Sequence, residues 1–462
     1  MKFVRKSPDA GYWGRELWLP RAHVNEAAIR NGLTFDLEDE TQIIAYKDER
    51  DHIVVPRETF SADKLERFGF PIYDVRSRDY EDIWFHDRFV PRDPIQEEAW
   101  EALSVADGGV LNLACGRGKS GLALKKGAQL GGPILIIITN TGTVEGWLEE
   151  IEKFLGIPPH QVGVIRQSQF EWDRPVAIAT IQTLSKKVGT WPGWFLRRWK
   201  LVILDEVHHA SARTFSRALP LFSGERLGLT ATVEREDGLE SLYMFHIGKV
   251  LFSDLTQDLP AKIHFVQTSF TCDMADPAVL DKAGQFNIGK FRSWLGAHAE
   301  RNELIAKHVG KAQRAGRKVL GLSHSVGHVE ALAKLVEGSG VIHGQIAYDK
   351  RLQILRDHRV VFATPGCAEE AMNDPALDTM MFLTPYKVWR TFQQGVGRIQ
   401  RPYEGKKKPL VTLFEDVRMG PCKGLCNKLK GKLRRKGYGY TTVPARHRSR
   451  LERMHTVRTE RG

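Results

Sequence analysis

Leu113-Ala-Cys-Gly-Arg-Gly-Lys-Ser120 is the stretch that decides the fold. Two glycines, a lysine and a hydroxyl at this spacing suit a turn that wraps a phosphate, although the full loop pattern asks for glycine where Leu113 stands. The flanks settle the context. "VLNLA" (110–114) reads as a buried strand and "KSGLALKKGAQL" (119–130) as a helix, so "CGRG" is the turn between them. Phosphates bind at such a helix N-terminus. Gly116 and Gly118 let backbone N–H groups come close, Lys119 reaches the β- and γ-phosphates, and Ser120 holds Mg²⁺. Position 113 lies on the strand side, where glycine is dispensable.

Working outward, short β-branched runs alternate with helical stretches: "PILIIIT" (133–139), "VAIATI" (176–181), "LVILDE" (201–206) and "RLGLTAT" (226–232). Runs this apolar suit parallel strands buried on both faces, with helices between them. The rhythm lapses over 253–300 and resumes with "KVLGLSH" (318–324), "RVVFAT" (359–364), "TMMFLTP" (379–385) and "PLVTLFEDV" (409–417). The expected organisation is an N-terminal accessory domain of α+β type over 1–88, a first doubly wound domain over 89–252, a connector over 253–300, a second such domain over 301–418 and a basic tail over 419–462.

"LVILDEVHH" puts Asp205 and Glu206 at the end of a buried strand. Adjacent acids there are costly unless solvated or bound to a cation. Asp205 fits as the Mg²⁺-holding carboxylate and Glu206 as the base that polarises a water.

Together these motifs resemble the superfamily 2 DNA helicases. "ACGRGKS" (114–120) fits the nucleotide loop of that superfamily, and Asp205-Glu206-Val207-His208 resembles its D-E-x-H motif. "GLTAT" (228–232) is similar to the motif that couples the ATP site to the nucleic acid. "QQGVGRIQR" (393–401) is similar to Q-x-x-G-R-x-x-R. The finer likeness, carried by "LACGRGKSG", "DEVHHA" and "RLGLTATVEREDG", is to the XPB and phage UvsW types, with a plan like that of the RecG branch-migration enzymes. The resemblance implies two tandem RecA-like domains and ATP hydrolysis with Mg²⁺. It assigns Gln96, Cys115, Gly116, Arg117, Gly118, Lys119, Ser120 and Asp374 to nucleotide binding. Catalysis falls to Lys119, Asp205, Glu206, Gln394, Arg398 and Arg401. His208, Thr230 and Thr232 take coupling, and Thr141, Thr180, Gln182, Arg235, Ser323 and Thr364 take DNA contact. Arg398 and Arg401, one turn apart on a helix face, suit the stabilisation of charge on a transferred phosphoryl group. Ile95 replaces the usual aromatic before the glutamine, and Ala371 stands where glycine is usual.

Composition sets the remaining bounds. The 462 residues, 42% hydrophobic and 27% charged, describe a globular protein of several domains. No apolar run is long enough for a bilayer and no signal peptide opens the sequence, so a cytoplasmic location and no membrane partner are expected. Five scattered cysteines suit a reducing compartment. The net charge is +12, and residues 423–462 hold thirteen Lys or Arg against two Glu, a net +11. That block reads as a polyanion contact. The expected partner is DNA, single-stranded, forked or branched, with RNA possible in hybrids, bound by a monomer that could meet replication or recombination proteins. Two rivals stay open: an ATP-gated nucleic-acid clamp that does not unwind, and an RNA-remodelling helicase.

Overall fold

Every residue of Ile134–Ile138 is buried, and alternate residues face opposite cores. Ile134, Ile136 and Ile138 pack with Leu111, Leu122 and Ile151, while Leu135 and Ile137 pack with Phe195, Trp199 and Leu219. A strand that feeds two cores must lie inside a sheet covered on both faces. The computed structural model describes residues 7–444, apart from 37–40, 77–78, 115, 207–211, 232–238, 256–259, 368–371, 373, 386–388, 401–402 and 436–437. Cys115, His208, Thr232, Arg235 and Arg401 lie outside the described residues, as does the side chain of Gln394.

The chain divides into two compact units, Met1–Thr256 and Gln257–Gly462. The first begins with a mixed sheet of β1 (Gly11–Trp13), β2 (Glu16–Pro20), β3 (Lys47–Asp48), β4 (His52–Pro56) and β5 (Ile72–Asp74), in the order β3-β4-β2-β1-β5. Leu17, Leu19, Ile53, Val55 and Phe70 form its core. Residues 79–93 then cross to the next layer, where Phe85 and Phe89 are buried.

That layer is an eight-stranded sheet of β6 (Gly108–Leu113), β7 (Ile134–Ile138), β8 (Gly163–Arg166), β9 (Gln169–Phe170), β10 (Val176–Thr180), β11 (Leu201–Asp205), β12 (Glu225–Thr230) and β13 (Val250–Asp254). Its order is β9-β8-β10-β7-β11-β12-β6-β13, and only the β8–β9 pair is antiparallel. Helices α1 (Pro94–Ser104), α2 (Lys119–Leu130), α3 (Val144–Leu155), α4 (Ile181–Lys186) and α5 (Glu240–Ile247) belong to the same unit. This is the doubly wound architecture that the alternating runs predict.

Two buried arginines join the N-terminal sheet to this layer. Arg226, at the start of β12, is 0% exposed. Its Nη1 donates to the His246 carbonyl at 2.7 Å, and its Nη2 to the carbonyls of Phe222 at 2.7 Å and Arg15 at 2.8 Å. Arg57 Nη1 donates to the carbonyls of Ser223 at 3.1 Å and Gly224 at 2.9 Å, while its Nε holds Glu58. Burial and the Arg226 charge push the neighbouring His246 down to about 3, so that imidazole is neutral.

The second unit is an all-parallel sheet of β14 (Lys262–Thr268), β15 (Val319–Leu322), β16 (Ser339–Ile342), β17 (Val360–Ala363), β18 (Thr379–Phe382), β19 (Leu410–Asp416) and β20 (Thr441–Pro444), in the order β16-β17-β15-β18-β19-β14-β20. Helices α6 (Ala299–Arg314), α7 (Val326–Leu335), α8 (Trp389–Ile399) and α9 (Gly420–Arg435) belong to it. Inside it, Arg301 and Asp416 form a fully buried ion pair at 3.1 Å.

Two sequence readings change here. The expected connector over 253–300 contains β14, which pairs with β19 along seven residues. Its polar members His264 and Gln267 disguised it as linker. The expected tail is also part of the fold as far as residue 444. In α9, Cys426, Leu429 and Leu433 are buried in the core of the sheet, and β20 pairs with β14. Interleaved lysines and arginines hid that apolar stripe. Among the described residues no helix is long and apolar enough to cross a membrane.

Replacing Arg226 with Leu leaves three carbonyls, two of them buried, without their donor. The expected loss is about 3 kcal/mol, by the cost of unsatisfied buried polar groups. Urea denaturation of the full chain measures it, and a change within about 0.5 kcal/mol contradicts the assigned role of the joint.

Candidate active site

Because its strands are parallel, β6, β7, β10, β11 and β12 all deliver their C-terminal ends to one edge of the first sheet. Ligands of open α/β sheets bind at that edge. The turn after β6 is built for a close approach. Gly116 has φ +80° and Gly118 φ +75°, backbone that side-chain-bearing residues rarely adopt. A Cβ on Gly118 would sit 2.7 Å from Gln96 Nε2, and one on Gly121 would lie 2.2 Å from the Phe89 ring.

The turn is braced from α1. Asp93 caps that helix, its Oδ1 accepting from the Gln96 N–H at 3.0 Å, while its Oδ2 pairs with Arg117 at 3.2 Å. The buried Gln96 amide accepts from the Arg92 N–H at 2.9 Å and donates to the Arg117 carbonyl at 3.0 Å. Arg92 donates to the Gly116 carbonyl at 3.2 Å. Lys119 begins α2 and is buried, and its Nζ donates to the Leu113 carbonyl at 2.8 Å and the Ala114 carbonyl at 3.4 Å. Ser120 follows it, half-buried.

Asp205 ends β11, two strands from β6. Burial and the adjoining Glu206 push its carboxyl up, to about 6, against the pull of the Trp147 indole and the Lys119 ammonium. Glu206 has φ +49°, a left-handed conformation that costs a non-glycine residue about 1–2 kcal/mol. Strain of this kind concentrates at functional sites. Thr230 ends β12 between the two, in register with Asn112 of β6, while Leu229 is in register with Asp205. An ammonium, a hydroxyl and two crowded acids on one edge fit a nucleotide phosphate with a divalent cation. Ser120 and Asp205 are the residues that could hold that cation.

The remaining sequence candidates divide. Thr141 and Gln182 are exposed at the ends of β7 and β10, and Gln182 Nε2 ties the two loops by donating to the Thr139 carbonyl at 3.0 Å. Thr180 is buried, its hydroxyl 2.8 Å from that of Thr183, so it turns inward rather than toward a ligand. In the second unit, Ser323 and Thr364 follow the adjacent strands β15 and β17. Thr364 is half-buried. Ser323 is fully buried with its hydroxyl 2.8 Å from His328 Nδ1, so it too is no surface contact. Asp374 stands away from both. It precedes β18 and pairs with Lys318 before β15, which places it at the strand-start edge rather than the ligand edge. Arg398 is half-buried in the last turn of α8.

Trp147 is 3% exposed, and its indole N–H is bonded to Asp205. Sequence reasoning also missed Arg92 and Asp93. An Asp three residues before Gln96 is a legible helix cap, but only the folded chain turns its second oxygen to Arg117.

Residues 89–235 match the family described as "Type III restriction enzyme, res subunit". "Probable helicase D10" of Escherichia phage T5 is 28% identical over 316 residues, 66% of each chain. "DNA 3'-5' helicase XPB" of Kineococcus radiotolerans is 29% identical over 268 residues, 56% of this chain and 47% of the relative. These matches make the chain similar to helicases over its nucleotide-binding half and beyond. The matches span about two thirds of the phage helicase and about half of the bacterial one. Among solved structures, Saccharomyces cerevisiae Dbp5 bound to RNA and ADP BeF3 matches with a TM-score of 0.53 at 12% identity, over 79% of this chain and 93% of that chain. That likeness concerns the fold.

Gly118→Ala forces a Cβ into left-handed backbone and against Gln96. The expected result is a loss of nucleotide affinity by at least about tenfold, from displacing the loop by even an ångström. Equilibrium binding of a fluorescent ADP checks it, and wild-type affinity contradicts the loop assignment.

Proposed function

We propose that this chain is an ATP-driven DNA translocase and helicase that remodels forked, branched or R-loop DNA. One observation carries the reading. The Lys119 turn and the Asp205–Glu206 pair meet on one edge of the first sheet, in a chain whose relatives include proteins named DNA helicases. Lys119 binds the β- and γ-phosphates, drawn from its two carbonyls to a stronger anionic partner. A divalent cation held by Ser120 and Asp205 supplies charge neutralisation at the phosphates. Glu206 orients and deprotonates the attacking water. Arg398 and Arg401 stabilise the charge that spreads over the transferred phosphoryl oxygens. Thr141 and Gln182, exposed at neighbouring loops, contact the strand.

ATPase and strand displacement on single strands, forks, four-way junctions and R-loops test this reading. DNA-stimulated hydrolysis without displacement marks a clamp, and stimulation by RNA alone marks an RNA-remodelling enzyme. Lys119→Ala is expected to abolish ATP turnover. Retained wild-type kcat in that variant sinks the phosphate assignment.

The basic C-terminal segment is assigned non-specific DNA affinity. Truncation cannot test it, because residues from 423 onward include buried core. Lys423, Lys428, Arg434 and Arg435 are exposed on α9. Changing all four to Gln is expected to weaken DNA binding at every sequence. It also reduces the slope of log K against log salt by about 0.9 for each phosphate that is no longer neutralised. An unaltered slope removes α9 from the DNA interface.

A further inference from the structure

Trp147 belongs neither to the nucleotide turn nor to the acid pair, and its spacing marks it as core. It lies on the buried stripe Val144, Trp147, Ile151 and Leu155 of α3. Its indole Nε1 nevertheless donates to Asp205 Oδ2 at 2.9 Å, across 58 residues of sequence. A buried indole N–H needs an acceptor, and any backbone carbonyl would serve. Here the acceptor is one of the two acids at the ligand edge.

The choice of donor matters. An arginine or lysine at this place would neutralise the carboxylate and compete with a cation. The indole N–H is uncharged and donates only. It can fix the plane of a carboxylate while leaving its charge for something else, and the packed ring keeps water from taking its place. We propose that Trp147 is a positioning residue that holds the Asp205 carboxylate oriented for a divalent cation. The proposal rests on the reading of Asp205 as the cation-holding acid. It also gives α3 two tasks, because the helix starts directly after the turn Thr141–Thr143.

The test uses the full chain and the Mg²⁺ dependence of mant-ADP affinity, read by fluorescence anisotropy, with a metal-free arm in EDTA. Trp147→Phe keeps a buried ring and removes the N–H. The expected result is unchanged affinity in EDTA and about a tenfold rise in the Mg²⁺ concentration that half-maximally tightens binding, the scale of losing an outer-shell partner. Asp205→Asn should abolish the tightening, and the double variant should match Asp205→Asn alone, because Trp147 acts through that carboxylate. Trp147→His, which keeps a ring N–H, should recover part of the loss. Wild-type Mg²⁺ dependence in Trp147→Phe, beside its loss in Asp205→Asn, overturns the proposal and leaves the Asp205 reading intact. A wild-type Mg²⁺ response in Asp205→Asn overturns both. Equal loss of affinity with and without Mg²⁺ in the Phe and His variants marks a packing role and also overturns it.

Discussion

Strand direction is the constraint on which the molecule depends. A parallel sheet buried on both faces sends every strand end of one polarity to one edge. In the first sheet that edge receives the Gly116–Gly118 turn, Asp205, Thr230, Thr141 and Gln182, from strands far apart in sequence. No local rule brings these residues together. Apolar runs such as Ile134–Ile138 do it by filling the cores above and below.

The energetics of the edge run against folding. Two acids adjoin at the end of a buried strand, one with raised proton affinity and the other in left-handed backbone. The Lys119 ammonium rests on carbonyls that α2 does not need. Such an edge persists because the cores and the α1 brace over-determine it.

Much of this was legible in the sequence. Alternating apolar runs revealed two doubly wound layers, and Gly-x-Gly-Lys-Ser between strand and helix revealed the turn. Other features were hidden by packing. Thr180 and Ser323 occupy loop positions that suggest contact, yet each hydroxyl has a partner a few residues on and turns inward. Asp374 precedes β18 and pairs with Lys318, which places it at the strand-start edge of its own sheet. Residues 420–444 carry seven Lys or Arg and no acid, and these interleaved cations mask the stripe that buries Cys426, Leu429 and Leu433. The Trp147–Asp205 bond links the buried stripe of α3 to the end of β11, and neither pattern announces the other. Only the packing of α3 against β11 joins them.

Strand β12 is six residues long, with Arg226 near one end and Thr230 at the other. Four residues of strand span only about 13 Å. At one end its guanidinium is locked to carbonyls of the N-terminal sheet and of its own layer. At the other it lies between the nucleotide turn and the acid pair. Hydrogen-bonded on both sides within the sheet, it is a short, stiff connecting rod. So short a strand sets the nucleotide turn and the joint to the N-terminal sheet at one fixed separation.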